Sequence, residues 1–146
     1  MKLLIVTLLL VSFGCQKKNN TAEEALHNFV DLHVGKVIKK EKMASLVTGK
    51  LLEQLEGLPT EDFEQLVDMS NIKKGSVKII TKSCSEVKCT LTYTISYDTM
   101  SDNKKVFETE VRKIAEIELV EDEWLISDVS NVKTYHDSLE PINPLE

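Results

Sequence analysis

Aromatic side chains are scarce, at 5% of 146 residues with one Trp. Any core must therefore be mostly aliphatic, and a strip of exposed rings for stacking nucleobases is excluded. Arginine is scarcer still, with Arg112 alone. Guanidinium is the group that forks onto phosphate, so a heavily phosphorylated ligand would have to be held by lysines. Those lysines form no dense cluster, and 24 Asp plus Glu outweigh 18 Lys plus Arg to leave a net charge of −6. Such a balance does not condense on nucleic acid, and no nucleic-acid partner is expected. Long hydrophobic runs are missing too: Leu3 to Val11 falls far short of the roughly 20 residues that a spanning helix needs. The length is that of one domain. Apolar residues at 42% and charged residues at 29% exclude a disordered or collagenous chain.

What is present at the start is an address. Lys2 precedes the apolar run, which ends in Ser12-Phe13-Gly14-Cys15. A positive end, a short apolar stretch and small residues before a cysteine read as a signal peptide over residues 1–14. The segment resembles the lipobox of bacterial lipoproteins, with Phe13 where many lipoboxes carry a small residue. The resemblance implies diacylglycerol on Cys15, cleavage after Gly14 and acylation of the new amino group. Two or three acyl chains anchor stably where one does not, so the expected protein is tethered to a membrane without crossing it. Residues 15–20 read as a polar leash, with Lys17 and Lys18 suited to anionic lipid. Gln16 directly after the cysteine looks like the pattern that directs lipoproteins to the outer membrane, facing the periplasm.

Residues 21–136 read as one domain, helices first and strands afterwards. Thr21 and Glu24 supply the two halves of a capping box. Ala22, Ala25, Leu26, Phe29, Val30, His33 and Val37 then recur at helical spacing as one apolar stripe, interrupted at Gly35. A short second helix is expected over Met43, Ala44, Leu46 and Val47, followed by a break at Thr48-Gly49. Thr60 caps a further helix with Phe63, Leu66, Val67 and Met69 on its buried side, and Gly75 closes the helical half. The period then changes to two. Cys89, Leu91, Tyr93, Ile95 and Tyr97 alternate with Thr and Ser, the clearest strand in the chain. Val77 to Ile79 leads into it, a longer strand runs from about Lys105 to Val120, and Trp124 to about Val132 completes the sheet. Within the longer strand Phe107, Thr109, Val111, Ala115, Ile117 and Leu119 share the core face. Asp137 to Glu146, with Pro141 and Pro144, reads as a flexible tail.

This order predicts an α+β class, with N-terminal helices packed on an antiparallel sheet. The helix from Thr21 to Ala25, the turn Leu46-Val47-Thr48-Gly49-Lys50-Leu51-Leu52 and the strand Glu121 to Val129 are similar to the lipoprotein branch of the nuclear transport factor 2-like superfamily, which is lumazine-binding-like. The resemblance implies a cone-shaped domain, a curved sheet wrapped on helices, with a pocket or a homodimer face. That superfamily spans isomerases, dehydratases, transport adaptors and domains without activity, so the fold alone supplies no function.

Cys84 and Cys89 flank four residues between two strands and are expected to form a disulfide, since lipidation of Cys15 leaves an even pair. If they face each other directly, Val77 and Ile79 fall on the wrong parity unless a bulge sits near Ile79-Ile80. The pocket of such a cone would be lined by His33, Tyr93, Tyr97, Lys113 and Trp124. His33 with a tyrosine hydroxyl is the arrangement an isomerase or dehydratase would use. No carboxylate on its stripe completes a dyad, and the reading adopted is non-catalytic, with His27 and His136 as solvated surface residues. No cofactor or metal is expected: the acidic run Glu116 to Glu123 lacks the spacing and glycine of a calcium loop. The expectation is an envelope lipoprotein that binds a small ligand in the cone or another envelope protein on the sheet. An enzyme, or an inhibitor or immunity-type lipoprotein, is the rival reading.

Overall fold

The computed structural model describes residues 19–34, 38–67 and 71–138. Four helices precede four strands: α1 (Ala22–His33), α2 (Lys40–Ala44), α3 (Gly49–Gly57), α4 (Thr60–Val67), then β1 (Ile72–Cys84), β2 (Lys88–Ser101), β3 (Lys104–Val120) and β4 (Glu123–Ser138). The strands form an open antiparallel meander in the order β1-β2-β3-β4, and Val47 adds a single parallel bridge beside Ile126. The class is therefore α+β, as the sequence order predicts.

At the start of α1 the Thr21 hydroxyl accepts from the Glu24 amide at 3.1 Å, and Glu24 Oε2 accepts from the Asn20 amide at 3.0 Å. The carboxylate thus reaches one residue further back than in a standard capping box. Ala22, Ala25, Leu26, Phe29 and Val30 are buried, and α1 lies against β3 and β4. Glu23, off the stripe, pairs with Lys82 of β1, whose hydrogen bond holds its carboxyl below the usual range.

Two helical expectations are corrected. α2 stops at Ala44, and Leu46 and Val47 lie beyond it, buried in a turn. The reason is pairing: Ile126 donates to the Leu46 carbonyl at 3.1 Å and Thr48 donates to the Ile126 carbonyl at 2.8 Å, which strips this stretch from the helix and fastens it to β4. Gly49 then takes φ +54°, a conformation glycine adopts freely, to turn the chain into α3. On α4, Phe63 is buried but Leu66 is 65% exposed, because the described part of that helix meets the core through Phe63 alone. Met69 and the side chain of Val67 lie outside the described residues, as do Gly35 and Val37.

Gly75 does not close the helical half. It sits inside β1, at a bulge between Lys74 and Val77, where an added Cβ would lie 2.9 Å from the Ser96 carbonyl oxygen. A second bulge between Ile79 and Thr81 opposes Ile79 to Tyr93 and leaves Ile80 exposed. It restores Val77 and Ile79 to the core face while Cys84 stays opposite Cys89. Those two cysteines form a disulfide with a Cα–Cα separation of 4.0 Å. The other two hairpins turn on Asp102-Asn103 and Glu121-Asp122, all at positive φ, the geometry that matches strand twist in two-residue loops.

The core lies between α1 and the inner sheet face, where Leu91, Tyr93, Ile95, Val111, Ala115, Ile117 and Ile126 are buried. Phe107 shares that face but is exposed, in the row of Thr99 and Ser138 next to the β2–β3 turn. β4 runs six residues past Val132, through Asp137 to Ser138, into the segment read as a tail. Asn19, read as leash, is buried: its Nδ2 donates to the Trp124 carbonyl at 3.2 Å, and its carbonyl accepts from the Trp124 amide at 3.2 Å.

Candidate functional site

The sheet register builds the site. Tyr93 on β2 opposes Lys113 on β3, and Lys113 opposes Asn131 on β4. One step along, Ile95, Val111 and Thr134 form a second row, and Tyr97, Thr109 and His136 a third. All three rows lie on the inner face. A bulge between Arg112 and Lys113 on the β4 side brings Asn131 onto the parity of Thr134 and His136.

Between these rows and the helices lies a cavity of about 570 Å³. Its helical side is apolar, made by Phe29 and Val30 of α1, Val34 just after it, and Leu51 of α3. Ile72 of β1, Ile95, Val111 and Val129 extend the apolar wall across the sheet. Among the described residues the polar lining comes from the sheet: Tyr93, Tyr97, Lys113, Asn131, Thr134 and His136. Asn131, Thr134 and His136 are also exposed, so the cavity opens to solvent along β4.

Three of the five residues expected in a pocket are thus brought together: Tyr93, Tyr97 and Lys113. Tyr93 is 1% exposed, and burial pushes its phenol well above the ordinary tyrosine value. Lys113 is half-buried, and desolvation lowers its ammonium from the ordinary lysine value. Trp124 does not line the cavity among the described residues. It opposes Leu119 beside the β3–β4 turn, packs half-buried against the core, and its backbone holds Asn19. The side chain of His33 lies outside the described residues.

His136, read from sequence as a solvated surface residue, reaches the cavity instead. Its Nδ1 lies 3.0 Å from the hydroxyl of the buried Thr109. Asn131 and Thr134 were equally hidden in the sequence, because Ser130 to His136 shows no apolar alternation by which to assign a face. A strand wall that faces a solvent-filled opening needs none.

The cavity has a sign. No Asp or Glu is among its described lining residues, whereas Lys113 is. Four lysines elsewhere meet carboxylates: Lys50 with Asp128, Lys82 with Glu23, Lys88 with Glu116 and Glu118, Lys105 with Asp98 and Glu108. Lys113 makes no such pair among the described residues. The one arginine is turned away from the cavity, in a row with Thr94 and Lys133 on the other sheet face, where its buried Nε has no hydrogen-bond partner. No group of three or more His, Cys, Asp and Glu that could hold a metal occurs among the described residues. No described helix is long and apolar enough to cross a membrane. The sequence matches no family model and none of the curated proteins.

Proposed function

We propose that this protein is a lipid-anchored lipoprotein of the bacterial envelope whose nuclear transport factor 2-like domain binds a small ligand in its cavity, without catalysing a reaction. The observation that carries the binding half is the cavity itself. At about 570 Å³ it falls within the roughly 300–1,000 Å³ typical of small-molecule sites, with apolar walls and a few convergent polar groups. The resemblance of Ser12-Phe13-Gly14-Cys15 to a lipobox carries the anchor. Asn19 is pinned to Trp124, so four residue steps separate the lipidated Cys15 from the body of the domain. Fully extended they reach about 14 Å, which holds the domain close to the membrane surface.

Native mass spectrometry of the chain purified gently from its own cells tests the binding half. A discrete small-molecule adduct is expected, and it should vanish from Val111→Trp, whose larger side chain fills the cavity. A bare protein, or an adduct retained by Val111→Trp, overturns the cavity reading and moves the weight to a protein partner on the sheet.

A further inference from the structure

We infer that the cavity takes an amphipathic organic monoanion, with a carboxylate seated on Lys113 Nζ beside the Tyr93 hydroxyl and its hydrocarbon body against Phe29, Val30, Leu51 and Val111. This deepens the ligand-binding reading above and rests on it.

The sign of the cavity is the first argument. A chain with net charge −6 carries acids over much of its surface, yet none is among the described residues that line this cavity. The second is the state of Lys113. It is half-buried between Tyr93 and Asn131 on the inner face and forms no ion pair among the described residues, while four exposed or part-exposed lysines do. An ammonium held beside Phe29, Val30 and Val111 without a counter-charge is costly, and the fold keeps it there. An anion entering the cavity supplies the missing partner in a site with little competing water, where a charge-assisted hydrogen bond is strongest.

The division of the walls gives the shape of the ligand. The described residues of the helical side offer only hydrocarbon, and the described polar groups lie in adjacent rows of the sheet. A ligand polar at both ends would leave one end unsatisfied against α1. One ammonium matches one negative charge, and Arg112 faces away, so a polyphosphate lacks the forked donors it needs. A carboxylic acid with an aliphatic or aromatic body satisfies every wall.

The test titrates the full chain, held in neutral detergent micelles, with decanoate, decanol and decylammonium by calorimetry, each corrected for a protein-free micelle blank. Decanoate should bind roughly 10–100-fold more tightly than decanol and decylammonium, as a desolvated charge-assisted contact implies. Lys113→Met should erase that preference while still binding decanol, which shows an intact cavity. If decanol binds the wild-type chain as tightly as decanoate, or decylammonium binds more tightly, the anion inference is overturned while the ligand-binding reading stands. If none of the three binds above the blank, both fall together.

Discussion

Asn19 and Trp124 exchange two hydrogen bonds across a sequence gap of 105 residues: the Trp124 amide donates to the Asn19 carbonyl, and Asn19 Nδ2 donates to the Trp124 carbonyl. The Asn19 side chain also accepts from Asn28 Nδ2 on α1, so one buried amide joins the chain entry, the first helix and β4. Asn19→Ala should therefore destabilise the fold by about 1–2 kcal/mol, the loss of two part-buried hydrogen bonds. Urea denaturation measures it, and a change within a few tenths would mean that water replaces the amide.

The two leucines Leu26 and Leu66 belong to equally clear helical stripes in the sequence but differ in burial, at 0% and 65% exposed. Leu26→Ala should cost about 2–5 kcal/mol, as large-to-small changes in packed cores do. Leu66→Ala should cost less than about 0.5 kcal/mol if that face of α4 stays in water. Equal losses from the two variants would place a further surface over α4.

Reduction of the Cys84–Cys89 disulfide, or Cys84→Ser with Cys89→Ser, removes the closure of a short loop. The chain-entropy relation gives a loss of about 2 kcal/mol. The strand register should survive, since both residues are already opposed in the β1–β2 ladder. Thermal melts with and without reductant read the loss, and an unchanged melting temperature would count against the bridge.

Lys113 gives the stability a pH dependence of definite sign. Burial lowers its value in the fold from the ordinary 10.5, so the unfolded chain holds the proton more tightly. Its penalty is full below the folded value and is relieved as pH rises from there towards 10.5. Wild-type stability relative to Lys113→Met should accordingly increase as pH climbs through that window. At neutral pH the Lys113→Met variant should be the more stable by on the order of 1 kcal/mol, because it replaces an unpaired charge by an apolar side chain of similar length. Guanidinium melts of both chains from pH 7 to pH 9.5, below the tyrosine range, check both statements. A Lys113→Met variant less stable than wild type at neutral pH would overturn the penalty.

Cys15→Ala removes the only acceptor for the proposed lipid. The variant should leave the membrane fraction or accumulate as an uncleaved precursor, and labelling with radioactive fatty acid should be lost. Incorporation of label into Cys15→Ala would end the lipobox reading.

Sequence periodicity by itself determined much of this protein. The period-three-and-four stripe from Ala22 to Val30 makes α1, and the period-two run from Cys89 to Tyr97 makes the centre of β2. Their order makes an α+β domain. Even the bulge near Ile80 was legible, because parity is counted in whole residues: Cys84 opposite Cys89 and Val77 on the core face cannot both hold without one extra residue between them. Tertiary structure alone decided which apolar residues have something to pack against. Leu66 lies on a stripe and is bare. Leu46 and Val47 fit a helix but are taken by the backbone of Ile126, because a strand edge offers hydrogen bonds that a five-residue helix cannot match. The cavity was half visible. Tyr93, Tyr97 and Lys113 sit on strands whose alternation assigns their face, whereas Asn131, Thr134 and His136 sit where the wall is polar and wet. There the hydrophobic effect leaves no pattern, and only the β3–β4 register could bring them to the site.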